Sequence, residues 1–285
     1  MGADELAAVF NSGAAEFSWL TPQVWGPAGQ ALVFQLRLRP GDTVLDVCCG
    51  AGASALPAAA AVGPGGRVHA VDLADDLLEE GRLLASDRAL TNIDFVRADA
   101  TEWEPPSTVP EAGYDALASS YGVFFLPHMD ESVNRLVSLV RPGGKVGVTS
   151  WRRGALEDYA GAYFDAVARH VPGFDAGPRD DAEDPLKKLD TPDGLSSWLT
   201  GFGTTSVEIN EMSNWLPATP ELAWGMVLGS VLRGPLIGLE AAAVESIRLE
   251  FLALLTERDI ETLDLGTLVA TAVVERRPVP ATLGP

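Results

Sequence analysis

Three aspartates and two glycines carry the chemistry that this chain puts within reach. Asp46 lies near the end of the apolar run Thr43-Val44-Leu45-Asp46-Val47, and Gly50 and Gly52 follow at once in Cys48-Cys49-Gly50-Ala51-Gly52. A run rich in β-branched residues reads as a strand buried on both faces. A glycine turn after it lets the backbone approach a ligand that any side chain would hold away. Asp72 terminates the next strand-like run, Arg67-Val68-His69-Ala70-Val71, 22 residues after Gly50. That separation suits an acid that takes the two hydroxyls of a ribose, and a carboxylate favours a ribose without a phosphate. Asp99 closes a third run, Ile93-Asp94-Phe95-Val96. Asp46 itself, a carboxylate beside a ligand loop, suits a positively charged or amine-bearing ligand better than a pyrophosphate.

These groups need a frame that brings strand ends together. After the first strand, predicted over 43–48, a helix is expected over roughly 53–62, ended by Gly63-Pro64-Gly65-Gly66. Strand 67–71, an amphipathic helix over 75–88, strand 93–96, strand 114–118, a helix over 130–140 and strand 145–150 complete an alternation of strand and helix. Arg141-Pro142-Gly143-Gly144 is read as a sharp turn into the last of these. That alternation specifies a parallel sheet wound with helices on both faces, whose strand ends line one crevice. Residues 4–38 read as helical with breaks at Gly13, Pro22, Pro27 and Gly29, and are dense in Phe10, Phe17, Trp19, Trp25 and Phe34. They are expected either to pack on the sheet or to lid the ligand. In the second half, a helix over 155–171, an acidic loop over 172–190, a short helix ending at Gly201 and a strand over 205–209 are expected. Helices over 219–233 and 238–257 then precede a last strand, 267–274, with the two late strands free to pair antiparallel.

Composition sets bounds on partners. The 285 residues carry a formal net charge of −20, which argues against binding nucleic-acid phosphates or an anionic membrane surface. No basic segment followed by an apolar core opens the chain, Leu6 stands where a myristoylation motif wants Ser or Thr, and 222–232 is too short and glycine-interrupted to span a bilayer. A cytoplasmic protein is expected. The two cysteines, Cys48 and Cys49, are adjacent, so they read as small residues at a strand end rather than as a disulfide or zinc site. The acids Asp180, Asp181, Glu183 and Asp184 read as solvated surface, and no metal is expected.

Taken together, residues 40–151 resemble the class I S-adenosylmethionine-dependent methyltransferases. Val44-Leu45-Asp46-Val47-Cys48-Cys49-Gly50-Ala51-Gly52 is similar to the family's glycine-rich first motif, with Cys48 where a first glycine is usual. Val68-His69-Ala70-Val71-Asp72-Leu73 and Arg97-Ala98-Asp99-Ala100 are similar to the ribose and adenine segments, and 139–145 to the turn before the fifth strand. Residues 198–202 are a weaker echo of the C-terminal half. The resemblance implies a Rossmann-like, doubly wound, seven-stranded, mostly parallel sheet with an antiparallel last strand and a helical cap. It divides the chain into an N-terminal helical segment (1–38), a cofactor-binding core (39–151) and the rest of the sheet (152–285), with the cap inserted at about 213–262. The cofactor it implies is S-adenosyl-L-methionine. Asp46 then holds the aminoacid end, Gly50 and Gly52 give backbone approach, and Asp72 binds the ribose. Leu73 packs beside the adenine, Asp99 and Ala100 accept its amino group, and Ser119 and Tyr121 lie where cofactor and substrate contacts fall.

Methyl transfer from a sulfonium needs alignment and exclusion of water, and a base only where the nucleophile must lose a proton. His128, in Phe124-Phe125-Leu126-Pro127-His128 after the fourth strand, is the first candidate for that base, with Tyr121 and His170 behind it, whereas His69 is read as structural. Trp151, Trp215, Trp224, Met226 and Phe251 fall in the second half, and if several face the crevice the acceptor is a small apolar or aromatic molecule. Two other readings stay open. Gly50-Ala51-Gly52-Ala53-Ser54-Ala55 also satisfies the dinucleotide fingerprint of an NAD-dependent oxidoreductase, and a cofactor-binding protein of this fold need not be a catalyst. The identity of the acceptor and the oligomeric state, a homodimer included, are left open by the sequence.

Overall fold

Residues 2–174 and 184–275 are described by the structure, a computed structural model. Three helices precede the first strand: α1 (Ala3–Ser12), α2 (Ala14–Leu20) and α3 (Trp25–Leu36). The breaks expected at Pro27 and Gly29 do not occur, because α3 runs through both. Pro27 is the third residue of that helix, where its missing N–H removes no intrahelical bond. Gly29 serves a close approach instead. A β-carbon there would stand 2.3 Å from the Ala53 carbonyl oxygen, so the helix rests directly on the glycine loop.

The central alternation forms β1 (Thr43–Val47), α4 (Ala55–Val62), β2 (Arg67–Asp72), α5 (Asp75–Asp87), β3 (Ile93–Arg97), β4 (Tyr114–Ser120), α6 (Met129–Ser138) and β5 (Val140–Trp151). Every residue of β1 is buried, as its apolar sequence demands. Residues 141–144, read as a turn before the strand, are part of β5. The pairing passes from Tyr114↔Val140 to Ala116↔Lys145, leaving them as an irregularity. Asp115 anchors it, accepting from Arg141 Nε at 2.7 Å and from the Thr43 N–H at 2.8 Å.

The remaining elements are α7 (Glu157–His170), α8 (Pro185–Leu189), α9 (Pro192–Thr200), β6 (Thr204–Met212), β7 (Trp215–Pro217), α10 (Pro220–Leu228), α11 (Ala241–Glu257), β8 (Thr262–Asp264) and β9 (Thr267–Val274). The helix expected over 219–233 stops at Gly229 and resumes as a 3-10 turn, Val231–Leu236, because the Ser230 hydroxyl takes the Leu232 N–H. Asp180, Asp181 and Glu183 lie outside the described residues. Asp184 caps α8 by accepting the Leu186 N–H at 2.9 Å. Among the described residues no cluster of His, Cys, Asp or Glu has metal-binding geometry, and no helix is long and apolar enough to cross a membrane.

The seven-stranded sheet has the order β3-β2-β1-β4-β5-β9-β6. It is parallel except for β9, which runs antiparallel to both β5 and β6. Strand order reverses between β1 and β4, so the crevice opens at their carboxyl ends. One face of the sheet buries Leu45, Val47, Leu117 and Val148 with α6 and α9. The other buries Val44, Val68 and Ala116 with α3, α4 and α5. A third apolar cluster joins Leu20, Trp25 and Tyr121 to Tyr159, Tyr163, Met226 and Phe251, so α7, α10 and α11 pack as one layer at the crevice end. Substituting Gly29→Ala is expected to cost about 1–3 kcal/mol through the clash with the Ala53 carbonyl, read as a lower urea midpoint at unchanged slope.

Candidate functional site

The glycine loop is built by backbone geometry. After β1 the chain turns with positive φ at Cys48 (52°), Gly50 (52°) and Gly52 (86°). Cys48 therefore sits in the left-handed region that favours glycine, and accepts strain a glycine would not bear. Burial, with the charges of Asp72 and Asp46 adding to it, pushes both cysteine thiols well above their ordinary range, so neither is a thiolate at neutral pH.

Asp72 fastens this loop to the end of β2. Its Oδ2 accepts the Gly50 N–H at 2.8 Å and its Oδ1 accepts the Ala74 N–H at 2.8 Å. Burial raises its pKa and those backbone donors oppose the rise. One lone pair on each oxygen is thus committed to the backbone, a role the sequence did not announce. Leu73 follows, half-buried. Asp99 caps a 3-10 turn, Ala100–Glu102, its Oδ1 accepting from the Thr101 N–H at 2.8 Å and the Thr101 hydroxyl at 2.7 Å. Ala100 is buried beside it.

Asp46 is different. Its side chain is 0 % exposed and neither carboxylate oxygen has a hydrogen-bond partner. Burial drives its pKa up to about 7, with the nearby Ser54 side chain opposing and the charge of Asp72 reinforcing the shift. Ser119, on the opposite face of the sheet with Leu117, is also buried with its hydroxyl unpaired. Buried polar groups without partners are uncommon in native proteins. Two of them at the switch point, beside a loop whose backbone turns through positive φ, fit a ligand with its own donors and positive charge. The residues therefore fit S-adenosylmethionine, a ligand whose ammonium, ribose hydroxyls and adenine amine call for acceptors of the kind that Asp46, Asp72 and Asp99 present at three successive strand ends.

The two candidate bases have different surroundings. His128 is the N-cap residue of α6 in a left-handed conformation (φ 45°), exposed, with no side-chain hydrogen bond among the described residues. The 3-10 turn Val123–Phe125 separates it from the end of β4. Tyr121 does lie at the end of β4, yet its buried hydroxyl donates to Thr267 Oγ1 at 2.5 Å, Thr267 in turn donating to the Leu265 carbonyl. Burial pushes this phenol far above its ordinary pKa. Its part is to build a wall. His170 closes α7 in solvent, and His69 is buried against the Tyr114 hydroxyl at 3.1 Å.

A row of rings covers the crevice. Phe125 meets Phe10 at 5.7 Å, Phe10 meets Phe17 at 6.3 Å, and Phe17 stacks on Trp25 at 5.2 Å between centroids. Trp25 then meets Tyr121 and Trp151, which stack on each other at 4.3 Å. The Phe17 ring lies 3.1 Å from where a Gly50 β-carbon would be. Of the aromatic residues dense in the N-terminal segment, Phe10, Phe17 and Trp25 join this row, whereas Trp19 and Phe34 are exposed. In the second half only Trp151 joins it. Phe251 and Met226 are core of the helical layer, Trp224 packs on Phe251, and Trp215 is exposed.

A nucleoside crevice at the switch point of a seven-stranded sheet with one antiparallel strand defines a Rossmann-like protein of the methyltransferase type. Residues 26–176, more than half of the chain, match the ubiE/COQ5 methyltransferase family, and the chain belongs to that family. It is 34% identical over 146 residues to the aklanonic acid methyltransferase DauC of Streptomyces sp. (strain C5), covering 51% of this chain and 64% of that one. It is 29% identical over 174 residues to the nocamycin O-methyltransferase of Saccharothrix syringae, covering 58% of each. The chain thus spans less than two thirds of the length of these relatives. Among solved structures, a Haemonchus contortus phosphoethanolamine N-methyltransferase 2 in complex with phosphomonomethylethanolamine and S-adenosylhomocysteine superposes with a TM-score of 0.57 at 17% identity, over 93% of this chain and 58% of that one. That likeness is one of fold.

Two outcomes follow from the loop. A carboxyl whose pKa is raised from 3.8 to about 7 binds its proton more tightly in the folded state, so stability falls as pH climbs between those values and stays low above them. Asp46→Asn is therefore expected to stabilise the ligand-free protein at pH 8, by on the order of 2–4 kcal/mol, with no gain at pH 4, in thermal melts at both. Relieving the left-handed strain, Cys48→Gly is expected to gain about 0.5–1 kcal/mol in urea unfolding, and the β-branched Cys48→Val to lose stability.

Proposed function

We propose that the protein transfers the methyl group of S-adenosylmethionine to an oxygen of a small, apolar or aromatic molecule. The observation that carries the reading is the unpaired Asp46 carboxyl beneath the glycine loop, in a chain of a methyltransferase family. Asp46 takes the ammonium of the cofactor, the backbone at Gly50 and Gly52 admits its chain, and Asp72 offers its remaining lone pairs to the ribose hydroxyls. Leu73 flanks the adenine, Asp99 and Ala100 meet its edge, and Ser119, at the end of β4, offers the cofactor a further contact. When bound, the cofactor supplies an electrophilic methyl on a good, neutral leaving group.

The acceptor class is supported by the wall that Trp25, Tyr121 and Trp151 make at the ends of β4 and β5. These three rings pack on one another at centroid separations of 4.3–6.1 Å, and a flat apolar wall of that kind suits a planar molecule. The names of two relatives, an aklanonic acid methyltransferase and a nocamycin O-methyltransferase, support a small-molecule acceptor, and the second supports an oxygen nucleophile. A carboxylic-acid acceptor is already ionised at neutral pH and needs no base from the chain, which agrees with Tyr121 being committed to Thr267. The chain's work is then to orient the acceptor and to keep water out, tasks performed by the ring layer from Phe125 to Trp151.

Isothermal titration tests the cofactor: S-adenosylhomocysteine is expected to bind and NAD not to, and the reverse would establish the oxidoreductase reading. Asp72→Ala is expected to weaken S-adenosylhomocysteine by about 1.5–3 kcal/mol, from the lost ribose contact and the loosened loop. In a labelled-methyl assay against a panel of phenols and aromatic carboxylic acids, His128→Ala is expected to keep turnover within about threefold. Trp151→Ala is expected to raise the acceptor KM at least tenfold, a loss of about 1.4 kcal/mol, with cofactor affinity kept.

A further inference from the structure

We infer that Asp46 is a proton-exchange site for the cofactor: the ligand-free carboxyl holds a proton, and the arriving ammonium group expels it to solvent and takes its place. The inference rests on the cofactor reading above and says how that site selects its ligand. Its first support is geometric. Neither oxygen of this carboxyl, which has 0 % exposure, forms a hydrogen bond of good geometry; the nearby Ser54 hydroxyl favours the anion but brings no charge, so the folded chain offers it no cation. Its second support is the make-up of the surroundings. Of the helices packed over this face of the sheet, α3 and α4 contain no ionisable residue in 25–36 and 55–62, and α5, which carries Asp75, Asp76, Glu79, Glu80, Arg82 and Asp87, buries only Leu77, Leu78, Gly81 and Ala85. The loop contributes Cys48 and Cys49, neutral thiols, and β2 contributes Asp72, itself a carboxyl. Beyond the end of β4 stands only Tyr121, a neutral phenol, and Asp115 at the strand's other end is held by Arg141. Every ionisable neighbour is neutral or negative.

An anion in such a place is stable only with a cation brought from outside the chain. A primary ammonium brings that charge together with N–H donors for both vacant oxygens. The exchange balances: one proton leaves the carboxyl for the buffer as one positive charge enters, so the buried charge sums to zero before and after. The site thereby distinguishes ligands that carry the α-ammonium from those that carry only the adenosine moiety, and it does so more sharply at acid pH, where the proton competes. Burial supports the same picture, since it places the titration of the free carboxyl near neutrality.

The test is calorimetric and needs no turnover. S-adenosylhomocysteine and 5′-methylthioadenosine, which lacks the aminoacid part, are titrated into the protein at pH 6, 7 and 8 in two buffers of different ionisation enthalpy. With a free carboxyl titrating near 7, S-adenosylhomocysteine is expected to release about 0.9, 0.5 and 0.1 protons at these pH values and to bind about tenfold tighter at pH 8 than at pH 6. Methylthioadenosine is expected to release none and to show flat affinity. In Asp46→Asn the release and the pH dependence of S-adenosylhomocysteine vanish together. Binding of S-adenosylhomocysteine without proton release at pH 6, or release that persists in Asp46→Asn, overturns the inference while leaving the cofactor reading intact. Binding of neither ligand at any pH overturns the cofactor reading itself. If Asp46→Asn does not fold, the comparison of the two ligands on the wild-type protein decides the matter alone.

Discussion

The two hydrogen bonds that Asp72 accepts from the Gly50 and Ala74 amides hold the ligand end of the protein together. They fix a loop that turns through positive φ at Cys48, Gly50 and Gly52, and such a turn has no ladder of its own to stabilise it. Once the loop is held, α4 starts where α3 can press on it through Gly29, and the floor of the crevice is complete. Because each carboxylate oxygen uses one lone pair on backbone and keeps another, a single side chain can serve both the fold and a ribose. Structural and binding roles are therefore coupled at Asp72.

Above that floor, exclusion of water has two consequences that belong together. The rings of Phe10, Phe17, Trp25, Tyr121 and Trp151 make a dry wall across the ends of β1, β4 and β5. Dryness is what an in-line displacement by a weakly solvated nucleophile asks for. The closed packing at this end of the sheet also buries Asp46, which raises its proton affinity. The helical layer of α7, α10 and α11 supports the wall from behind by burying Tyr159, Tyr163 and Phe251, whose bulk belongs to the core and not to the crevice.

Much of the frame was legible in the chain itself. The buried run of β1, the helix stop at Gly63 and the β9 span at 267–274 follow from apolar patterning and turn chemistry, which act over a few residues. The same local signals mark Asp46, Asp72 and Asp99 as strand-end acids. They misled where a local cue met a non-local demand. Pro27 and Gly29 read as breakers, but α3 tolerates a proline in its first turn and needs a glycine against Ala53. Residues 141–144 read as a turn, but Asp115 folds them into β5.

What the sequence by itself determined is the order of strands and helices and the set of acids at their ends, because hydrophobic period and glycine conformation are properties of short stretches. Only the tertiary structure decided what each acid faces. Asp72 and Asp99 look alike in the sequence to Asp46, but backbone amides and Thr101 satisfy the first two while the third is left alone among α3, α4 and the loop. The fate of a buried charge depends on every element packed around it. The same holds for the aromatic residues: Trp25 and Trp151, distant along the chain, become one wall with Tyr121, whereas Trp19 and Phe34, close to Trp25 in sequence, are turned to solvent by the helix faces on which they lie.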